Sequence, residues 1–142
     1  MQDRRSVKTR LHSRFRPALE RLQRKIAGIK AIVVVRSDGV VVEQLASDSS
    51  ADTEVLASEF TTLVRIARRT SEDTGAGDLV EHILVSDNAV TIVRYVSEDH
   101  FLILVCEIRD QIGRARYELK QTAWELAENG SNLTLDIGHP NI

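Results

Sequence analysis

Apolar residues recur along this chain at helical spacing in some segments and at strand spacing in others, and the alternation predicts a sequence of elements. From about Ser13, Leu19, Leu22 and Ile26 follow one another at three and four residues, the spacing of one helix face. Pro17 falls early enough to be tolerated in the first turn, and Gly28 closes the segment. Next comes "AIVVVRSDGVVVEQLA", two β-branched runs around Ser37-Asp38-Gly39. Asp-Gly between apolar runs predicts a hairpin, because the turn needs positive φ and glycine supplies it without a steric penalty. A second helix is predicted in "SSADTEVLASEFTTLVRIARRTSEDTGAG". A Ser or Asp between Ser50 and Asp52 caps it, Leu56, Phe60, Leu63 and Ala67 form its stripe, and Gly75 and Gly77 stop it.

Three strands follow. "EHILVS" and "AVTIVRYVS" are divided by Asp87-Asn88, a pair suited to a turn, and "HFLILVCEI" comes after Glu98-Asp99. In the last of these both alternating faces are apolar: Phe101, Ile103 and Val105 on one, Leu102, Leu104 and Cys106 on the other. A strand with two apolar faces belongs in the middle of a sheet covered above and below. The third helix, "DQIGRARYELKQTAWEL", carries Ile112, Ala115, Leu119, Ala123 and Leu126 on one stripe, with Asp110 as the expected N-cap and Gly130 as the stop. The expected fold is an α/β sandwich in the order α-β-β-α-β-β-β-α, a five-stranded, mostly antiparallel sheet between helices. Its expected divisions are a flexible basic arm over 1–12, the domain over 13–129 and a tail over 130–142.

Composition narrows the class. Of 142 residues, 42% are hydrophobic and 28% charged, which suits one soluble globular domain and excludes a low-complexity chain. No apolar run approaches the ~18 residues of a membrane span. The N-terminal residues lack the apolar core of a secretory signal, which predicts an intracellular, cytoplasmic protein. The net charge of −2 hides an asymmetry. Residues 1–30 hold ten Lys/Arg against Asp3 and Glu20, a net of +8; the remainder holds nine against nineteen carboxylates, a net of −10. The arm, with Arg4, Arg5, Lys8 and Arg10, has three readings: a solvated tail, an electrostatic tether to an anionic surface, or a transit peptide.

Catalysis needs converging groups, and few are available. His12, His82, His100 and His139 are scattered, none has a Cys or His partner at metal-ligand spacing, and His82 and His100 are expected at solvent-facing strand ends. No phosphate loop, dinucleotide fingerprint or nucleophile elbow occurs. Cys106 sits inside the most apolar strand and reads as a buried structural thiol. Glu72-Asp73 and Glu98-Asp99 read as solvated turns. These readings predict no catalytic residue, metal or cofactor.

The arginines carry two readings. Arg68 and Arg69 near the end of the second helix suit its macrodipole, yet with Arg65 they also make a basic strip for an acidic partner or phosphates. Arg114 and Arg116 stand near a helix N-terminus, where the dipole opposes them, although Arg114 has Glu118 four residues on. Gly113 is expected to mark a close approach of helix to sheet, so that Gly113→Leu should destabilise the fold.

The order of elements, with "GIKAIVVVRSDGVVVEQ", "DTEVLASEF" and "IGRARYELKQTAWEL", resembles the roadblock (dynein light-chain) family, especially its bacterial branch. The resemblance covers about residues 15–129. It implies a profilin-like sandwich that homodimerises, joining strands of two protomers into one longer sheet with the second helices side by side. Bacterial members are partners and regulators of small Ras-like GTPases and do no chemistry of their own; eukaryotic relatives are scaffold subunits. The implied function is a non-enzymatic regulator of such a GTPase, acting on hydrolysis or exchange, with a scaffold or adaptor dimer as the alternative. The implied dimer and partner surface is Leu56, Phe60, Leu63, Arg65, Ala67, Arg68 and Arg69. One departure stands out: several GTPase-regulating members present small residues on the second helix where this chain has "TTLVRIARRT".

Overall fold

A computed structural model describes residues 15–47, 52–107 and 109–131. The basic arm, His12, His139 and the chain beyond Ser131 lie outside the described residues. The elements are α1 (Arg16–Lys25), β1 (Ile29–Arg36), β2 (Val41–Ala46), α2 (Thr53–Asp73), β3 (Glu81–Val85), β4 (Val90–Tyr95), β5 (His100–Cys106) and α3 (Ile112–Ser131). This is the order expected from the apolar pattern. The sheet runs β2-β1-β5-β4-β3 with every neighbour antiparallel, and β5 stands in the centre.

The two faces of β5 account for that position. Leu102, Leu104 and Cys106 face α1 and α3, in a cluster with Leu19 and Leu22 of α1, Ile26 just after it, and Ala115, Leu119, Ala123 and Leu126 of α3. Phe101, Ile103 and Val105 face α2, in a cluster with Ala57, Phe60 and Val64. A register shift between Ile29 and Ala31 lets those two residues of equal parity serve opposite clusters. At the β1–β2 hairpin Gly39 has φ +95°, and its N–H donates to the Arg36 carbonyl at 2.8 Å. Arg36 grips Asp38 there through two nitrogens, which holds the Asp38 carboxyl below its usual range. Cys106 is buried in the first cluster, and burial pushes its thiol up to about 11.

Five expectations need correction. An ideal Cβ on Gly113 meets no heavy atom within 4 Å, so this glycine marks no close approach. Asp110 lies within a 3-10 turn, Arg109–Gln111, that leads into α3, and α3 continues through Gly130 to Ser131. The buried stripe of α2 is Thr53, Ala57, Phe60, Thr61 and Val64, whereas Leu56 and Ala67 are half-buried and Leu63 is exposed. Thr61 can take a core position because its hydroxyl donates to the Ala57 carbonyl at 2.6 Å and leaves its methyl to pack. Glu72 and Asp73 are the last residues of α2, not a turn, and Glu72 pairs with Arg68 at 3.6 Å.

Candidate partner-docking site

An open sheet has two edges, and each exposes a row of unpaired backbone groups. The β2 edge is capped at its middle, around Gln44. Arg16 at the start of α1 donates to the Gln44 carbonyl at 3.0 Å and to Glu43 at 2.9 Å. The Thr53 hydroxyl at the start of α2 donates to the Gln44 side chain. Among the described residues nothing caps the outer edge of β3 in this way. Its last two residues, Leu84 and Val85, are 39% and 53% exposed. An open groove of about 540 Å³ runs along this edge, lined by the chain from Asp78 to Ile83, by Ser71 of α2, and by Arg94 and Arg116.

Charge is organised around the same strand. Glu81, whose side chain is only 9% exposed, accepts from Arg94 of β4 at 3.1 Å and from Arg116 of α3 at 2.6 Å. A carboxylate removed from water needs such partners, and Arg116 thereby ties the first turns of α3 to the β3 edge. Arg114 has a different task. Its Nε donates to the Lys25 carbonyl at 2.9 Å, at the C-terminal end of α1, where the helix dipole favours a cation. Glu118 pairs with Lys25 at 3.7 Å, and not with Arg114 as the i+4 spacing suggested. Arg21 with Glu125 adds a further ion pair between the two helices. The cations near the start of α3 therefore serve other elements.

Helix α2 presents its remaining surface to solvent. Val55, Leu63 and Ile66 are exposed there, Ile66 at 60%. Among the described residues Arg65 reaches only the Ser37 carbonyl, at 3.5 Å. Arg68 is held by Glu72 and lies over the Tyr95 ring at 5.7 Å from its centroid. Arg69 is exposed and has no partner among the described residues. The last turn of α2 contains no basic residue, so the macrodipole, which acts within a turn of the helix end, does not account for Arg68 and Arg69.

Of the expected surface, Leu56, Phe60, Leu63, Arg65, Ala67, Arg68 and Arg69 all lie on α2, but Phe60 is buried beneath the helix against its own sheet. Val55, Ile66, Leu84 and Val85 were not foreseen, and the Glu81–Arg94–Arg116 cluster was missed. Its members are distant in sequence and meet only through the β3–β4 register that sets Glu81 opposite Arg94. His82 and His100 are half-buried and do not stand free at strand ends. The His100 ring lies 5.9 Å from that of Phe15, and His82 Nδ1 is buried without a hydrogen-bond partner among the described residues. Among the described residues no group of His, Cys, Asp and Glu is placed to hold a metal ion, and no helix is long and apolar enough to cross a membrane.

The family model for the Roadblock/LC7 domain matches residues 18–107. Among solved structures, Myxococcus xanthus MglB is similar with a TM-score of 0.78 and 15% identity, over 92% of this chain and 95% of that one. MglC from Myxococcus xanthus is similar with a TM-score of 0.60 and 28% identity, over 81% of this chain and 98% of that one. A Roadblock/LC7 domain from Streptomyces avermitilis is similar with a TM-score of 0.68 and 16% identity, over 78% of this chain and 92% of that one. No curated protein matches the chain significantly.

Proposed function

This chain belongs to the Roadblock/LC7 family, and from that premise we propose that it is a non-enzymatic homodimer that serves as partner and regulator of a small Ras-like GTPase. The observation that carries the reading is the contrast between the two sheet edges: β2 is capped at Gln44 by Arg16 and flanked there by Thr53, while β3 is open and apolar at its end. A second copy adding its β3 antiparallel to this edge would pair the free N–H and C=O groups and cover Leu84 and Val85. The same step would bring two α2 helices onto one face of a continuous sheet, making a composite surface for a partner. Such a protein acts by favouring one arrangement of the GTPase switch segments, and its effect is bounded by its differential affinity for the two states.

A scaffold dimer without effect on nucleotide turnover is the second reading, and the arginines of α2 favour it. Small residues would permit close approach of a GTPase, whereas Arg65, Arg68 and Arg69 hold a partner off unless its surface is acidic. The basic arm, with Arg4, Arg5, Lys8 and Arg10, fits a tether to an anionic surface in either reading. Light scattering tests the assembly. The expected mass is about twice the 15.9 kDa of the chain, returning to the single mass in Val85→Lys. A monomeric wild-type chain would contradict the dimer. Size-exclusion chromatography with candidate GTPases from the same genome tests the partner, and failure of every candidate to co-elute would contradict it.

A further inference from the structure

We propose that the middle of α2 is a docking surface selective for an acidic protein face, with Arg65 and Arg69 as its cationic anchors and Ile66 and Leu63 as its apolar floor. The proposal deepens the partner reading above and rests on it only for where the partner lands. Residues 62, 65, 66 and 69 are neighbours at three and four residues on one exposed helix face. From Thr61 to Ser71 the helix carries three arginines and no carboxylate, within a body whose net charge after residue 30 is −10. Arg65 has arginines at both i+3 and i+4, an arrangement that destabilises the helix that carries it.

Among the described residues, the structure offsets this cost at Arg68 alone. Arg69 makes no ion pair with Asp73 four residues on, and among the described residues Arg65 has a single long bond, to a carbonyl. Arg68 differs, being paired with Glu72 and stacked on Tyr95, and it is therefore left out of the anchors. Arg114 is also left out, because its guanidinium is spent on the end of α1. Arginine is enriched at protein interfaces, neither Arg65 nor Arg69 has a carboxylate partner among the described residues, and a cationic patch on an acidic body excludes partners of the wrong sign. The occupant identified by this chemistry is a protein whose contact face carries carboxylates around an apolar centre.

The test uses the full chain against each small Ras-like GTPase and each further roadblock-domain protein of the same genome, with wild type, Arg65→Glu/Arg69→Glu and Arg65→Lys/Arg69→Lys compared. Arg24→Glu, an exposed cation on α1, is the control. Wild-type affinity for the true partner should fall about tenfold between roughly 50 and 300 mM salt. The Glu pair should lose at least about tenfold in affinity at unchanged circular dichroism, the Lys pair should keep most of it, and Arg24→Glu should bind as wild type. A partner bound equally well by the Glu pair overturns the proposal and leaves the GTPase reading intact. A roadblock-domain protein as the sole charge-dependent partner supports the proposal and removes the GTPase reading. Binding to no member of the panel overturns both.

Discussion

Glu81 shows how little of a residue's role is visible from its neighbours in sequence. Its carboxylate holds Arg94, 12% exposed at the side chain, and Arg116, 54% exposed. Glu81→Ala leaves Arg94 nearly buried without a counter-charge and should cost about 3 kcal/mol in urea unfolding. Arg116→Ala removes a largely solvated arm of the same cluster and should cost less than about 1 kcal/mol. Gly113 reverses its expected sign. With open space around its Cβ, Gly113→Ala should be neutral or stabilise by up to about 1 kcal/mol, while Arg114→Ala, which uncaps α1, should destabilise by about that amount. Cys106 should resist alkylation in the folded protein near neutral pH and react on unfolding. Its folded-state thiol titrates near 11 against about 9 in the unfolded chain, so the native state binds the extra proton between those values. The stability contributed by the buried neutral thiol is therefore complete below about pH 9 and is lost as pH rises toward 11. A stability that rises over that window would contradict the assignment.

At the scale of elements, α1 and α3 were legible because each has one apolar arc and one place to put it. Helix α2 was less so. Val55, Leu56, Ala57, Phe60, Leu63, Val64, Ile66 and Ala67 spread around much of its circumference, and periodicity alone cannot say which arc meets the helix's own sheet. The fold resolves this by burying Val64 to 1% and leaving Ile66 at 60%. Val64→Ala should cost about 2 kcal/mol in unfolding, whereas Ile66→Asp should change the stability of the single chain by no more than about 0.5 kcal/mol. Equal losses would mean that the α2 arcs are misassigned. The arginines diverge for a related reason: local rules point Arg68 and Arg69 to the macrodipole and Arg114 to Glu118, whereas Arg68 pairs with Glu72 on its own helix and lies over Tyr95, and Arg114 is taken by the end of α1.

Across the whole molecule, the centre of the sheet was the most legible feature, because two apolar faces on "HFLILVCEI" admit only a central strand. The capped β2 edge and the open β3 edge were not legible, since edge status depends on Arg16 meeting Gln44 across 28 residues. In the proposed assembly, that difference between edges would give the fold a direction of pairing, and the arginine-bearing helix α2 would give a surface on which a partner is chosen. In the proposed function this surface acts on a small Ras-like GTPase. The most direct measurement is the rate of GTP hydrolysis and of nucleotide release by each candidate GTPase as the protein is titrated in. One of the two rates is expected to change, saturating with the co-elution of the pair; a GTPase that co-elutes with both rates unchanged would contradict regulation and leave a scaffold.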